Sequence, residues 1–494
     1  MFRHNFITSH FKHHLYVGQA GPWGIWPVLM PLRSFQSHIY AVGQSGVGKS
    51  KFLQHILFEL TTKGHGCGVL DPHSDLASDL LAQLTSYPKQ RPWLSYQANR
   101  ERLVYVDPSR SSHLIPMNIL LNTQATPYDI ANNVIEAFRR VWPDTLSEAP
   151  RFAQIMRNAV LVLATHKLSL LELERLLTDA EYRQRMLVGI ADPLVVSFFE
   201  KQYNRWGREQ VIFAAPVLNK VSAFLFKPEV RLMLGAQENR LDLRRIMDEG
   251  KVLIVDLGGF HDEETQRLMG SLLMTGMEQA ALSRRNQATG ERTPFFLMID
   301  EFPLFCARDS TALARILSEC RKYALRLGLA HQTITQLPTE RLQGALENAK
   351  LKIVFGTGRQ TAEAIVKELF MPNMSAVKHQ VKDEDAQERI HPLFDPMMEQ
   401  FERFTQMIQR LKTRRVLVKF PEREQVYNLK TPSVPKPRVT RLQLEQIKDV
   451  LVKQIGLPRD QLEQHIQVRN ERFAVNKSPK TSSIEFWEKA RTTS

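Results

Sequence analysis

Cysteine is scarce in this 494-residue chain: three occur, Cys67, Cys306 and Cys320, and no two stand in a CxxC pair. That argues against a disulfide framework or a cysteine zinc site and fits a reducing cytosol. Long apolar runs are lacking as well. No stretch of about 18 apolar residues appears, so no transmembrane helix is expected. The opening "MFRHNFITSHFKHHLYVG" has no apolar centre of the signal-peptide kind. Acids are in deficit, 52 Asp and Glu against 66 Lys and Arg, for a formal net charge of +14. Such an excess bears on partners more than on fold. A polyanion is the natural partner, and nucleic acid comes before a membrane surface.

Glycine is modest overall, 23 residues in all, yet three of them fall in "GQSGVGKS". This stretch fits G-x-x-x-x-G-K-[ST] through Gly43, Gly48, Lys49 and Ser50. Glycines admit backbone conformations closed to other residues, so successive N–H groups of Gly43, Gln44, Ser45, Gly46, Val47 and Gly48 can face phosphate oxygens. The helix that follows adds the amides of Lys49, Ser50 and Lys51 and the positive end of its dipole. Lys49 is expected on the β- and γ-phosphates of ATP, and Ser50 on Mg²⁺. The apolar run "HIYAVG" before the loop and the helical period of "KSKFLQHILFELTTKG" after it give the motif its context.

A hydrolysing phosphate loop needs an acid at the end of another strand. "FFLMIDE" supplies Asp300, expected in the Mg²⁺ shell, and Glu301, placed to polarise the attacking water. "KVLIVDLGG" also ends in an acid, Asp256, but a non-acidic residue follows, and it reads as a structural strand end. Two motifs are missing. No Asn-Lys-x-Asp run reads guanine, and no "LSGGQ"-like signature marks an ABC ATPase.

The order of elements implies an α/β fold, a central mostly parallel sheet flanked by helices. Residues 1–36 form an N-terminal segment in which "GPWGIWPVLMPL" can give two short strands. Residues 37–125 are the first part of the core, 126–237 an all-helical insertion, and 238–431 the second part of the core. "RRVLVKF" and "QVYNLK" read as a closing hairpin edge. Residues 432–494 read as a basic, partly flexible tail with one helical segment.

The blocks "SHIYAVGQSGVGKS", "VLDPHSDL", "PFFLMIDEF", "ILSECRKYALRLGLAHQTITQL" and "LENAKLKIVFGTG" resemble, in order, those of the HerA/FtsK superfamily of RecA-like motors. Within it, the chain is most similar to the TraG/TraD-like coupling proteins of conjugative type IV secretion. The resemblance runs from about Ser37 to Thr431. It implies a ring, expected to be a homo-hexamer, that moves DNA and can meet a relaxase or other secretion components. It implies Arg321 of "SECRKY" as an arginine finger for the neighbour's ATP site, with Arg315 as runner-up. It implies Gln332 of "LAHQ" as a γ-phosphate sensor, and Asp71 of "LDPHSDL" near the nucleotide. The chain departs from the pattern at Ser74 and Cys320, where the family favours glycine, and in lacking the two membrane helices usual in coupling proteins. A cytoplasmic location is expected, or a peripheral one at the inner face of the membrane.

Two clusters pair bases with aromatics in the insertion: Arg139, Arg140 and Trp142, and Arg205, Trp206 and Arg208. Each suits single-stranded DNA, and each also suits a solvated helix face beside a core tryptophan. Three readings of the whole stand side by side. One is an ATP-driven DNA translocase in conjugative transfer, or a HerA-like motor in DNA processing or defence. Another is a recruiting adaptor whose ATPase is a switch. The third is a protein-export ATPase of the same apparatus. If the positive excess serves phosphate contacts, log affinity for DNA falls linearly with log salt, by about −0.9 per phosphate neutralised on duplex or about −0.7 on single strands. Anisotropy titrations across salt measure the slope, and a flat affinity removes nucleic acid from the partner list.

Overall fold

The apolar runs that end at the glycine loop and at the paired acids lie in one sheet. The computed structural model describes residues 13–21, 24–86, 100–122, 125–142, 150–305, 316–337, 344, 346–382 and 390–474. Its strands are β1 His14–Ala20, β2 Trp26–Pro31, β3 Ile39–Val42, β4 Gly66–Asp71, β5 Leu103–Val106, β6 His113–Leu114, β7 Val252–Asp256, β8 Phe295–Ile299, β9 Leu325–His331, β10 Leu351–Val354, β11 Val377–Lys382, β12 Ile390–Phe394, β13 Arg415–Lys419, β14 Val426–Lys430 and β15 Leu457–Pro458.

Among the described residues the main sheet has eleven strands, in the order β2-β1-β14-β13-β10-β3-β9-β8-β4-β7-β5. From β10 to β5 all neighbours are parallel. Strands β3, β4, β5, β7 and β8 are buried at every position. Continuous rather than alternating burial is what a parallel sheet covered on both faces requires. On the other side, β13, β14, β1 and β2 continue the sheet antiparallel.

That continuation corrects the expected architecture in two places. The β13–β14 hairpin forms but is not the edge, because β1 pairs with β14 at Gln19 and Lys430. The division at residue 37 likewise does not separate the N-terminal segment from the core, since β1 and β2 belong to the sheet. The edge falls at β2, whose Pro27 and Pro31 have no N–H to offer a further strand.

The helices are α1 Lys49–Thr62, α2 Asp75–Thr85, α3 Pro127–Val141, α4 Pro150–Thr165, α5 Leu173–Thr178, α6 Ala180–Leu187, α7 Pro193–Ser197, α8 Glu209–Leu225, α9 Pro228–Leu234, α10 Leu243–Asp248, α11 Glu263–Ser283, α12 Arg359–Leu369, α13 Met397–Gln409, α14 Arg441–Ile455 and α15 Arg459–Ala474. Helices α3 to α9 follow β6 with no strand between them among the described residues. No single helix among those residues is long and apolar enough to cross a membrane. Cys67 and Cys320 are free and buried; Cys306 lies outside the described residues, as does the tail from residue 475.

The C-terminal segment is more ordered than its composition implies. Helices α14 and α15 both dock. Lys448 on α14 approaches Asp256 at 3.8 Å, and Arg110 bridges Asp107 to Glu445 and Asp449. Arg469 on α15 pairs with Glu172 of the helical unit at 2.7 Å. Leu451, Val452 and Leu462 are buried beneath these contacts.

The helical unit is fastened to the core through α3. Thr126 and Asp129 form a reciprocal cap with Pro127 in the first turn, which starts the helix. Its face of Ile130, Val134, Ile135 and Phe138 is buried. Arg140 then meets Glu278 of α11 at 2.9 Å, with side chains 4% and 0% exposed. Trp142 Nε1 donates to Glu264 at 2.8 Å, and Lys220 lies over its ring. Arg140 is therefore not a surface contact for DNA. Trp206 is half-buried beside Tyr203 and Phe213 with Arg151 over its ring, which makes it a packing residue; Arg205 and Arg208 are exposed.

Removing one partner of a buried pair leaves the other charge uncompensated, at about 3–5 kcal/mol. Arg140→Met therefore lowers the thermal midpoint clearly, and adding Glu278→Leu returns much of the loss. Differential scanning calorimetry of the two variants checks this; equal losses in both would mean that the pair is incidental.

Candidate nucleotide site

Strand β3 ends at Val42, and the chain turns at once through the glycine loop into α1. Two backbone bonds seat the loop between the neighbouring strands: Gly43 N donates to His331 O at 3.3 Å and Gln44 N to Gly356 O at 3.0 Å. Gly46 and Gly48 have φ of +80° and +103°, in the left-handed region that glycine alone enters freely. Gly48 caps α1 with no side-chain cap, so the first amides of the helix stay available to an anion.

Strand β8 delivers its acids to the same edge of the sheet, with β9 between it and β3. Lys49 reaches across. Its Nζ lies 3.0 Å from Glu301 Oε1 and 3.9 Å from Asp300 Oδ1. Ser50 Oγ donates to Asp300 Oδ2 at 3.2 Å. Strand β9, the strand between, contributes Gln332, whose Nε2 donates to Glu301 Oε1 at 3.0 Å. Gln336, four residues on, donates to Glu301 Oε2 at 3.3 Å. Thus Lys49, Ser50, Asp300, Glu301 and Gln332 converge, from three separate stretches of sequence.

Burial governs the electrostatics. It pushes the Asp300 carboxyl up, and the Glu301 charge adds to this against the pull of Lys49 and Ser50. Burial acts on Glu301 in the same sense, but the Lys49 charge and the bonds from Lys49, Gln332 and Gln336 outweigh it and hold that carboxyl below its usual range. His331 is pushed down to about 4 by burial and by Lys49, so it is neutral and can bridge Tyr40 on β3, at 2.7 Å, and Thr333 O, at 2.9 Å. Lys49, only 5% exposed, is not a free cation beside a loop.

Lys51 and Asp71 lie at the expected carboxyl edge of the sheet, with their side chains engaged locally. The Lys51 side chain turns to Asp79 and Gln54 on the α1–α2 flank, so only its backbone amide is at the loop. Asp71 ends β4 beside β8, but its oxygens accept the N–H groups of His73 and Ala77, both at 2.9 Å, and shape the turn into α2; burial pushes this carboxyl up to about 6. Arg321 precedes β9, on the opposite edge of the sheet. Its carbonyl accepts from Arg326, and its charge bears on His38 at the start of β3. β9 has seven residues, so about 20 Å of strand at roughly 3.3 Å per residue separates Arg321 from this subunit's own loop, more than an arginine spans. Arg315 lies outside the described residues.

The structure also accounts for a departure from the family pattern. Ser74 has φ +67°, a conformation that favours glycine, and its hydroxyl donates to Asp256. Two supports carried no signal in the sequence. Arg414, at φ +67°, donates its backbone N–H to Val47 O at 3.1 Å and braces the loop from outside. Glu301 itself is left-handed at φ +45°. Side chains rarely adopt such a backbone, and where they do the surroundings enforce it.

Hard oxygen donors at Ser50 and Asp300 suit magnesium. Among the described residues no group of three or more His, Cys, Asp or Glu could hold a metal ion.

Parallel sheet, glycine loop and paired acids define a RecA-like P-loop fold. Residues 17–275, more than half of the chain, match the family model described as the central domain of helicase HerA, and the chain belongs to that family. It is similar to the bacterial conjugative coupling protein TrwBdeltaN70 in its unbound form, at 16% identity and TM-score 0.56, over 88% of this chain and 94% of that one. A structure of plasmid coupling protein TrwB with ADP and Mg²⁺ matches at 16% identity and TM-score 0.56, over 86% and 91%. VirB4 of Thermoanaerobacter pseudethanolicus matches at 14% identity and TM-score 0.52, over 85% and 96%. At such identities the likeness is one of fold. No curated protein matches.

In nucleotide-free protein, Lys49→Ala leaves Glu301 without its cation and lowers the melting temperature. The double variant with Glu301→Gln loses less than the sum, by a coupling of about 0.5–3 kcal/mol. Thermal unfolding of the four proteins gives this number; strict additivity would mean that the pair carries no stability.

Proposed function

We propose that this chain is an ATP-driven DNA translocase of a conjugative type IV secretion system, working as a ring in which neighbours share each ATP site. The observation that carries the reading is the convergence of Lys49, Glu301 and Gln332 at one edge of the sheet, with Arg321 at the other. That Arg321 cannot reach its own subunit's loop supports a role at a neighbour's. The net charge of +14 and the fold likeness to TrwB support DNA as cargo.

In this reading the loop amides and Lys49 bind the triphosphate; Ser50 and Asp300 would hold magnesium, which would supply charge neutralisation at the phosphates. Lys49 exchanges Glu301 for the phosphates. The freed carboxylate polarises water for attack on the γ-phosphorus, the bond to the β-bridging oxygen breaks, and ADP and phosphate leave. Gln332 holds the carboxylate in place, and Arg321 from the neighbour meets charge developing on the phosphoryl group. Because Arg140, Trp142 and Trp206 are committed to packing, DNA contacts belong elsewhere than on those side chains. The same commitments favour, as a second reading, a substrate-recruiting adaptor whose ATPase acts as a switch and which moves nothing.

Glu301→Gln binds ATP and fails to hydrolyse it; hydrolysis near the parent's rate would overturn the assignment. Lys49→Ala and Arg321→Ala are each inactive alone, but a mixture whose subunits exchange recovers hydrolysis at interfaces pairing the two intact residues. The arginine effect is about 10³-fold or more, so recovery stands well above background. If exchange is verified by tagged pull-down and no activity returns, the shared site is wrong.

A further inference from the structure

Glu301 is gripped at both oxygens, and the second grip comes from a residue that no motif marks. We propose that Gln336 is a positioning residue for Glu301, an inference that rests on the role given to Glu301 above. Its side-chain amide has two halves in use at once. Nε2 donates to Glu301 Oε2 at 3.3 Å. Oε1 accepts the backbone N–H of Gln332 at 2.9 Å and of Thr333 at 3.1 Å. Gln332 in turn donates to Glu301 Oε1 at 3.0 Å. One amide therefore closes the turn that carries Gln332 and fixes the far oxygen of the carboxylate.

The turn is itself anchored on both sides. Ile334 N donates to Thr361 Oγ1 on α12 at 3.1 Å. His331 ties the start of the turn to Tyr40 on the strand that feeds the phosphate loop. Gln336 thus links a turn registered to β3 and α12 with a carboxylate on β8. Lys49 holds only Oε1. Once phosphates claim the lysine, the amides of Gln332 and Gln336 are what remain to keep the carboxylate aimed. Gln336 is exposed at the rim of the site, so it acts by orienting Glu301 and is not placed on the nucleotide.

Gln336→Glu separates the two halves. The carboxylate still accepts both backbone N–H groups, so the turn persists, while the donor to Glu301 is lost and a like charge replaces it. For the full chain we expect kcat to fall about tenfold or more, the scale of one hydrogen bond to a charged group. KM for ATP changes far less than kcat, and the melting temperature falls only slightly. Gln336→Ala, which also opens the turn, falls at least as far and serves if the first variant does not fold. Parent-like kcat in Gln336→Glu, or a rise in KM that accounts for the whole loss, overturns the proposal. Either result, with Glu301→Gln inactive, sinks this inference alone; a Glu301→Gln protein as active as the parent sinks the reading of Glu301 beneath it.

Discussion

One ammonium group stands among two carboxylates at the edge of a parallel sheet, and the site is arranged around that fact. Lys49, Asp300 and Glu301 are all nearly buried, and charges taken from water are tolerable only when paired and hydrogen-bonded. Lys49 answers both acids, Ser50 answers Asp300, and two glutamines answer Glu301. A triphosphate that claims Lys49 breaks the pairing. In the proposed mechanism, nucleotide binding thereby frees Glu301 from its cation, because the same ammonium cannot serve both partners fully. Strand order makes this possible. With β9 between β3 and β8, the lysine spans one strand to reach the acid, and the intervening strand supplies Gln332 at its end.

The same sheet separates the two halves of the proposed chemistry. Residues at strand carboxyl ends build the loop side of the site, and Arg321, before the amino end of β9, is exposed. A parallel sheet has opposite edges with opposite equipment, and the proposed shared site uses one edge from each of two neighbours. The helical unit and the C-terminal helices close the remaining surface: Arg140 with Glu278 fastens the first, and Lys448 with Asp256 and Arg469 with Glu172 fasten the second. The C-terminal pairs join α14 to β7 and α15 to the helical unit.

Much of this was legible in the sequence because local chemistry demanded it. The phosphate loop needs glycine where φ is positive, and a strand followed by a helix confirms it. The acids of "FFLMIDE" end a run too apolar for anything but a buried strand. What could not be read shares one property: it depends on what a residue meets across the fold. The motif puts Lys49 on phosphates, and only the fold shows its ammonium bonded to Glu301, 252 positions away. Arg140 looked like a phosphate contact because the stretch itself does not show Glu278. The N-terminal strands gave no sign that they extend the sheet, since pairing of β1 with β14 joins the two ends of the core. Asp71 resembled a ligand by motif, and only the structure shows both oxygens accepting amides of its own turn. Ser74 ran the other way: the family preference for glycine was visible, and the left-handed backbone supplies its cause.

The central claim is that no subunit holds a complete site. Its most direct test is the rate of ATP hydrolysis per subunit measured across protein concentration, with the mass distribution recorded at each point by mass photometry. The account predicts a rate near zero where single chains dominate and a rise that tracks the oligomer. A per-subunit rate that stays constant down to concentrations where only single chains exist would contradict it.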